Sequence, residues 1–378
     1  MLESYTIGSG KDTMLFVKTG ELKTGMRLAR PIYNNKGVLL FERNSLLTAQ
    51  AIDSVKNFGL LGIYILEPAE PLPPMSEEDL EYERFQMVTV AVMKEELEKI
   101  ISSKHAPKMQ VIANNIISKY GHLENKIQFY QNLRSKEDYV CRHSLNVAIL
   151  CAMISNVMNL KLEERMQTVI AAIVHDIVKL QNPGINIFDD NLFEVEKEKI
   201  YELKNEGSKM IEEAFAADGA MLKRICMQAL RARMDAGKPE AAGRKLVTGA
   251  KILMVADRYD EMTAMSLEGK TESEVAAIKE FMDHPEVYDP EVVDALIKSI
   301  LILFPGVSVE LNTGEKALVL SENPRNVLRP VVLCFKDNSI LDLSIAENRD
   351  IEIVDIMKTM DNRYIMANSD ALNQLGIR

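Results

Sequence analysis

The chain of 378 residues is 47% hydrophobic and 27% charged, and its net charge is −11 at pH 7. This composition excludes disorder over most of the length, and the negative charge argues against binding of nucleic-acid polymers. Residues 1–18 lack the pattern of a secretory signal, and no apolar run reaches the roughly 18 to 20 residues that span a bilayer. We therefore expect a cytoplasmic protein without membrane contact.

The cysteines are far apart and form no CxxC pair. This spacing argues against both a disulfide framework and a zinc ribbon. We expect ordinary buried thiols at all four positions, which are Cys141, Cys151, Cys226 and Cys334.

Residues 1–67 predict a small α+β module. Two strand-like stretches, 26–33 and 38–41, flank the turn-forming residues 34–37, which is the pattern of a β-hairpin. A helix is expected over residues 48–57, followed by a strand over residues 62–66. The next segment, residues 68–75, is rich in proline, cannot form a helix and predicts a linker.

Helical periodicity begins after this linker and continues to Phe304. A capping-box pattern at residues 76–79 opens a long amphipathic helix. Its apolar stripe is wide enough to dock on the bundle, and a homodimer contact is the alternative use. After residue 305 the period shortens to two, which predicts strands. The expected fold is therefore mainly α, with a helical bundle over residues 76–305 and a short strand-rich C-terminal appendage over residues 306–378.

The apolar run of residues 169–174 ends in His175 and Asp176. A buried carboxylate is costly unless it is ion-paired, hydrogen-bonded or bound to a metal. Successive helical residues point about 100° apart, so these two side chains can reach one ion only at a helix edge or end. A second helix carries His143, and Asp257 ends the apolar run of a third.

Two imidazoles and two carboxylates on apolar helix faces predict a site for one divalent metal ion. Nitrogen and oxygen ligands suit manganese, iron or zinc and leave positions open for water. Taken singly, a core histidine is more often structural, and a half-buried aspartate is more often a cap or an ion-pair partner. A metal-free buried polar network is therefore the alternative.

The order of His143, the pair His175-Asp176, and Asp257 resembles the H, HD, D pattern of the HD superfamily of metal-dependent phosphohydrolases. The resemblance implies an HD-type helical bundle in which these four residues bind one divalent ion. It also implies that Asp176 and Lys179 serve catalysis and that Lys179 contacts the phosphate of a substrate.

Residues 138–347 resemble the HD-GYP subfamily of bacterial cyclic di-GMP phosphodiesterases more closely. The matching segments are Asp138 with Tyr139, an HDxGK-like stretch over residues 175–179, a VADxYD-like stretch over residues 255–260, and a YDP stretch over residues 288–290. The resemblance implies a cyclic dinucleotide or another phosphate ester as ligand. Residues 17–66 resemble the small module that often precedes such a domain.

The chain also departs from the HD-GYP pattern. Leu203 stands where the HPxxG motif places a ligand histidine, and the HHExxD motif keeps only its final residue, Asp235. The GYP signature is reduced to Gly237, Lys238 and Pro239. The resemblance thus implies that ligands of the second and third metals are missing, and one remaining ion cannot clamp both reacting oxygens. We expect weak or altered hydrolysis.

Arg231 stands where the subfamily places a metal-ligand histidine. A guanidinium can hold a phosphate in a bidentate manner but cannot act as a Lewis acid. We predict that Arg231, together with Lys179 and Arg233, replaces the lost positive charge, so that phosphate binding is kept while turnover falls. The alternative is a solvent-facing arginine on a polar helix.

Three functions are open from the sequence. The first is a metal-dependent phosphohydrolase, and the second is a catalytically inactive module of bacterial signalling that senses a cyclic dinucleotide or binds a protein partner. The third is a structural interaction protein. A measurement of metal content would distinguish the structural protein from the other two. A measurement of cyclic di-GMP turnover would distinguish the phosphohydrolase from the inactive signalling module.

Overall fold

The computed structural model describes most of the chain. The described residues are 5–7, 14–24, 26–33, 38–42, 45–57, 62–66, 77–123, 126–127, 129, 139–182, 185, 193–236, 238, 245–264 and 272–356. The predicted turn at 34–37, the linker at 68–75, Asp138, Gly237 and Pro239 lie outside them. The described residues divide into a helical unit, residues 88–301, and a second unit of residues 1–87 and 302–378.

The N-terminal part contains two antiparallel sheets and one helix. The strands of the larger sheet run in the order β1-β2-β6-β3, β4 pairs with β5, and α1 packs with them. Their bounds are β1 Tyr5–Ile7, β2 Met14–Lys18, β3 Arg27–Leu28, β4 Ile32–Tyr33, β5 Leu39–Phe41, α1 Ala49–Asn57 and β6 Gly62–Leu66. The predicted hairpin, helix and final strand are all present.

Helices form residues 77–299 wherever the structure describes regular elements. Their bounds are α2 Glu77–Ser103, α3 Met109–Tyr120, α4 Tyr139–Val157, α5 Leu162–Val174, α6 Val178–Gln181, α7 Glu194–Ala214, α8 Gly219–Met234, α9 Thr248–Thr263, α10 Glu274–Asp283 and α11 Pro290–Ser299. The predicted mainly α fold is confirmed.

Helix α4 lies at the centre of the helical unit, where it packs against α3, α5, α9 and α11. It is also the one described helix that is long and apolar enough to cross a membrane, but 83% of that stretch is buried inside the protein. A core helix surrounded by other helices has this composition, because each of its faces meets apolar neighbours. Polar groups on α4 therefore sit inside the bundle.

The C-terminal part is an antiparallel sheet with the strand order β10-β9-β8-β7-β11. Its strands are β7 Ser308–Leu311, β8 Lys316–Ser321, β9 Val331–Cys334, β10 Ile340–Asp342 and β11 Ile353–Ile356. Gly314 lies in the turn between β7 and β8 with a φ of 77°, a left-handed conformation that favours glycine. The predicted strand-rich C-terminal region is confirmed.

Two local features of the helical unit position the site. Helix α5 ends at Val174, with His175 as its C-cap, so His175 and Asp176 lie at a helix end rather than on a continuous face. Helix α7 approaches α6 closely, because a Cβ atom on Gly207 would lie 2.2 Å from Cγ2 of Val178. Only glycine permits this approach, which brings the middle of α7 next to Asp176.

Candidate metal centre

The side chains of His143, His175 and Asp257 converge from α4, the end of α5, and α9. Each offers one ligand atom, and these atoms lie within 4.8 Å of one another. His143 is fully buried, whereas His175 and Asp257 are partly accessible. The structure thus brings together three of the four residues that the sequence predicts as metal ligands, and the group could hold a divalent ion.

The separations of these ligand atoms match the edges of a coordination polyhedron. Nε2 of His143 lies 3.0 Å from Oδ1 of Asp257 and 3.3 Å from Nε2 of His175. Nε2 of His175 lies 3.3 Å from the same oxygen of Asp257. Ligands about 2.1 Å from one ion, at tetrahedral or octahedral angles, are about 3.0 to 3.4 Å apart. Small movements would therefore suffice to place all three around one ion.

Both imidazole rings are oriented by acceptors at their other nitrogen. Nδ1 of His143 donates a hydrogen bond of 2.6 Å to Asp260, which is buried and also accepts one from Asn146. Nδ1 of His175 donates to the carbonyl oxygen of Ala172 at 2.7 Å. A carboxylate and a carbonyl can only accept, so in the neutral rings the lone pairs lie on Nε2, towards Asp257.

The electrostatics of the group favour a bound cation. Burial alone would lower the pKa of His143, but the carboxylates of Asp257 and Asp260 raise it to about 9. Burial would raise the pKa of Asp257, but the two histidines and Arg233 hold it well below its usual value. A proton on His143 therefore balances these carboxylates when no ion is bound, and a divalent ion would take the place of that proton.

Asp257 contributes different contacts through its two oxygens. Its Oδ1 is buried and faces Nε2 of His143 at 3.0 Å and Nε2 of His175 at 3.3 Å. Its Oδ2 accepts a hydrogen bond of 2.7 Å from Nη1 of Arg233, whose Nη2 donates to Glu261 at 2.7 Å. A buried carboxylate oxygen in contact with two imidazole nitrogens needs a proton or a metal ion between them, and it lies where a metal ligand is needed. The residues present therefore fit a divalent ion.

Asp176 lies beside this group but farther from the ring nitrogens. Its Oδ2 is 3.7 Å from Nε2 of His143 and 3.8 Å from Nε2 of His175. Oδ2 is in ion-pair contact with Lys179, and Oδ1 accepts a hydrogen bond of 2.7 Å from Nζ of Lys204. Burial would raise the pKa of Asp176, but the two lysines hold it well below its usual value. Asp176 is therefore ionised and surrounded by cations.

Sequence reasoning missed Lys204 of α7. Helical spacing is the signal that indicates its burial. Gly207, Ser208 and Ile211 follow Lys204 by three, four and seven residues, and all three are buried. Lys204 thus belongs to the buried stripe of α7 and not to its solvated face. It directly follows Leu203, the residue at the position of the missing ligand histidine.

Arg231 and Arg233 have different surroundings. The side chain of Arg231 is 44% exposed, and its Nε donates to Asp235 at 2.9 Å. Its guanidinium lies 5.4 Å from the ring centre of Tyr201. The side chain of Arg233 is only 7% exposed and points to Asp257. Arg231 is not among the described residues that line the cavity beside the centre, whereas Arg233 is.

A small cavity adjoins the candidate centre. Its volume is about 30 Å³, which is room for about two water molecules. The lining includes His175, Asp176, Lys179, Lys204 and Asp257. Apolar residues form much of the remaining wall, among them the buried thiol of Cys226, whose pKa burial raises to about 12. All four cysteines are buried.

Comparisons with known proteins agree with this geometry. The HD domain family matches residues 140–262. The cyclic di-GMP phosphodiesterase PA4108 of Pseudomonas aeruginosa is 25% identical over 207 residues, which are 54% of this chain and 49% of that protein. The chain thus spans about half the length of this curated relative.

Among solved structures, Bd1817, an HDG"Y"P protein from Bdellovibrio bacteriovorus, is similar with a TM-score of 0.38 and 11% sequence identity. The similarity covers 75% of this chain and 98% of that chain.

The family match runs from the start of α4 to the end of α9 and so includes every helix that supplies a residue of the centre. His143, His175, Asp176 and Asp257 all lie within the matched residues. The order of these residues and the convergence of three of them around one point agree with the match. Residues 140–262 therefore match the HD domain family, and the candidate centre lies inside this matched region.

Proposed function

We propose that the chain is a metal-dependent phosphohydrolase that acts in the cytoplasm on a cyclic dinucleotide, with weak or altered turnover. The observation that carries this proposal is the set of three ligand-atom separations, 3.0, 3.3 and 3.3 Å, inside an HD domain. The substrate class is supported by the name of the Pseudomonas relative, a cyclic di-GMP phosphodiesterase.

We propose one divalent ion, manganese, iron or zinc, with Asp176 as the fourth ligand beside His143, His175 and Asp257. Oδ2 of Asp176 is only a few tenths of an ångström too far from the ring nitrogens for a coordination edge. This role requires the ammonium group of Lys179 to leave Oδ2. Lys179 lines the cavity and is then available to contact a phosphate oxygen.

An ion bound at this centre would act as a Lewis acid and would lower the pKa of a bound water enough for it to ionise near neutral pH. The residues of the chain supply the remaining functions. Asp260 and the carbonyl of Ala172 fix the two imidazole rings, and Lys179 provides positive charge beside the cavity. Burial of His143 and Asp176 excludes bulk water, which strengthens each of these electrostatic contacts.

Low turnover follows from the reduced ligand set. A single ion must divide its open positions between the attacking water and the substrate, whereas two ions can clamp both reacting oxygens. Lys204 and Arg233 provide positive charge near the centre, but an ammonium or guanidinium group cannot acidify water as a metal does. Binding of a phosphate ester should therefore be retained better than its hydrolysis.

A second candidate function is a catalytically inactive module that senses a cyclic dinucleotide or binds a protein partner. The observation that favours it is the ion pairing of Asp176 with both Lys179 and Lys204, which neutralises the carboxylate without a metal. A sensor would bind the ligand at this centre without breaking its phosphodiester.

Metal analysis and turnover measurements test these proposals. We expect the purified protein to bind one divalent ion per chain and Asp176→Ala to lose most of it. Asp283→Ala, which alters an exposed carboxylate at the end of α10, is the matched control and should bind metal like the unaltered protein. Hydrolysis of cyclic di-GMP with added manganese would support the enzyme. Binding without hydrolysis would support the sensor, and equal metal content in the absence and presence of Asp176 would contradict its role as a ligand.

A further inference from the structure

The two carboxylates beside the centre share one arrangement. Each has an inner oxygen that faces the ring nitrogens, namely Oδ1 of Asp257 and Oδ2 of Asp176. The inner oxygen of Asp176 is also in ion-pair contact with Lys179, which must leave it when an ion binds. Each has an outer oxygen that is hydrogen-bonded to a cationic side chain at 2.7 Å. The outer partner is Arg233 for Asp257 and Lys204 for Asp176.

Both outer cations are held in place by the fold. The side chain of Lys204 is 11% exposed, and the close approach at Gly207 fixes its helix against α6. The guanidinium of Arg233 is fixed by its second hydrogen bond, to Glu261. Burial would lower the pKa of Arg233, but Glu261 and Asp257 raise it above its usual value. If either group left its carboxylate, a buried charge would remain without a partner, which is costly.

This arrangement matters for the number of metal ions. In two-metal sites the ions lie about 3.5 to 4 Å apart, close enough for one carboxylate to coordinate both through its two oxygens. At this centre the outer oxygens of Asp176 and Asp257 are already occupied. A second ion would also have to approach a fixed ammonium or guanidinium group, and like charges repel strongly where water is largely excluded.

We propose that Lys204 and Arg233 are positioning residues that restrict the centre to a single divalent ion. They direct one oxygen of each carboxylate towards that ion and occupy the oxygen through which a second ion would be bridged. This inference rests on the metal centre of the proposed function and adds the residues that limit that centre to one ion. It assigns a role to Lys204, which the sequence motif leaves unexplained.

The first test is the stoichiometry of manganese in the unaltered chain, measured by titration and by electron paramagnetic resonance. We expect one ion per chain at saturation and the spectrum of an isolated Mn²⁺ ion. Two ions per chain with a spin-coupled spectrum would overturn this inference and leave the metal centre standing. No bound manganese at saturation would overturn the metal centre and this inference together.

The second test exchanges the outer cation for a ligand. In Lys204→Glu, a carboxylate replaces the ammonium beside Asp176, and we expect a second manganese ion and a spin-coupled spectrum. The matched control is Lys209→Glu, which makes the same charge change at an exposed position of the same helix and should bind one ion. A single isolated ion in folded Lys204→Glu would show that the lysine does not limit the site.

Helical circular dichroism establishes whether each variant is folded. If glutamate at this position prevents folding, Lys204→Gln removes the charge while keeping a polar side chain of similar length. We expect this variant to bind a second ion more weakly than the first, and strictly one ion at saturation would count against the inference. The inference requires one ion in the unaltered chain, and two ions there would overturn it whatever the two variants show.

Discussion

The side chains that offer ligand atoms in the candidate centre are oriented by hydrogen bonds to neighbouring residues. Asp260 is the clearest case, because it is buried and its hydrogen bond of 2.6 Å orients His143. A partner of this kind fixes the ring and makes its free nitrogen a better ligand. Asn146 in turn orients Asp260 through a hydrogen bond of 3.1 Å.

We therefore predict that Asp260→Asn lowers the affinity for manganese by about 10- to 100-fold. The amide keeps the shape of the side chain but carries no charge to support the imidazole. Isothermal titration calorimetry of the variant and the unaltered protein measures the effect. Asp283→Asn, at an exposed position, is the control, and an unchanged affinity in Asp260→Asn would exclude the orienting role.

At this scale the sequence identifies a candidate residue where a polar residue ends an apolar run. His175 and Asp257 both do so, and the structure brings them together with His143. Lys204 gives no such signal, because it lies in a polar stretch and its burial depends on how α7 packs. The two arginines of α8 differ for the same reason: residues two apart point to opposite sides of a helix, and only packing decides which side is buried.

At the scale of elements, the centre depends on the contact between α6 and α7. Gly207 has no room for a side chain, since an added Cβ would lie 2.2 Å from a methyl group of Val178. That methyl group belongs to a buried side chain that has little freedom to move. The distance between the two helices therefore sets the position of Lys204 relative to Asp176.

We predict that Gly207→Ala destabilises the protein by about 1 to 3 kcal/mol, the usual cost of overpacking. It should also displace Lys204 from Asp176. Urea unfolding followed by circular dichroism measures the stability. Gly20→Ala is the control, because nothing lies within 4 Å of a Cβ added there. Equal urea midpoints for Gly207→Ala and the unaltered protein would mean that α7 can move away from α6 without loss of stability.

The ends of elements were predictable where the sequence supplies a local signal. The helix over residues 48–57 and the strand over residues 62–66 lie within one residue of the observed α1 and β6. The pairing of β11 with β7 was not predictable, because more than 40 residues separate these strands and no local pattern specifies a distant partner. Sheet order is decided by packing of the whole unit.

At the scale of the whole molecule, the described carboxylates of the centre already have cationic partners from the chain. Asp176 contacts Lys179 and Lys204, and Asp257 contacts Arg233. Removing a bound ion would therefore not leave these charges buried without partners, which is the main cost of losing an ion from a protein interior. The fold should survive without metal.

We predict that a chelator lowers the melting temperature by about 5 to 10 °C and leaves the helical content unchanged at 25 °C. The shift corresponds to roughly 2.7 kcal/mol of binding free energy when the ion is present at about 100 times its dissociation constant. Circular dichroism with and without chelator measures it. Loss of helical signal at 25 °C would show that folding requires the ion.

For the proposed phosphohydrolase, the narrow cavity beside the centre also bears on discrimination between phosphate esters. A space of about 30 Å³ admits solvent but not a sugar or a base. Whatever distinguishes one phosphate ester from another must therefore contact it at the outer surface, away from the coordinating atoms. Substitution of the residues that supply the coordinating atoms should slow the hydrolysis of all esters to the same degree. Only substitutions at the mouth of the cavity should alter selectivity.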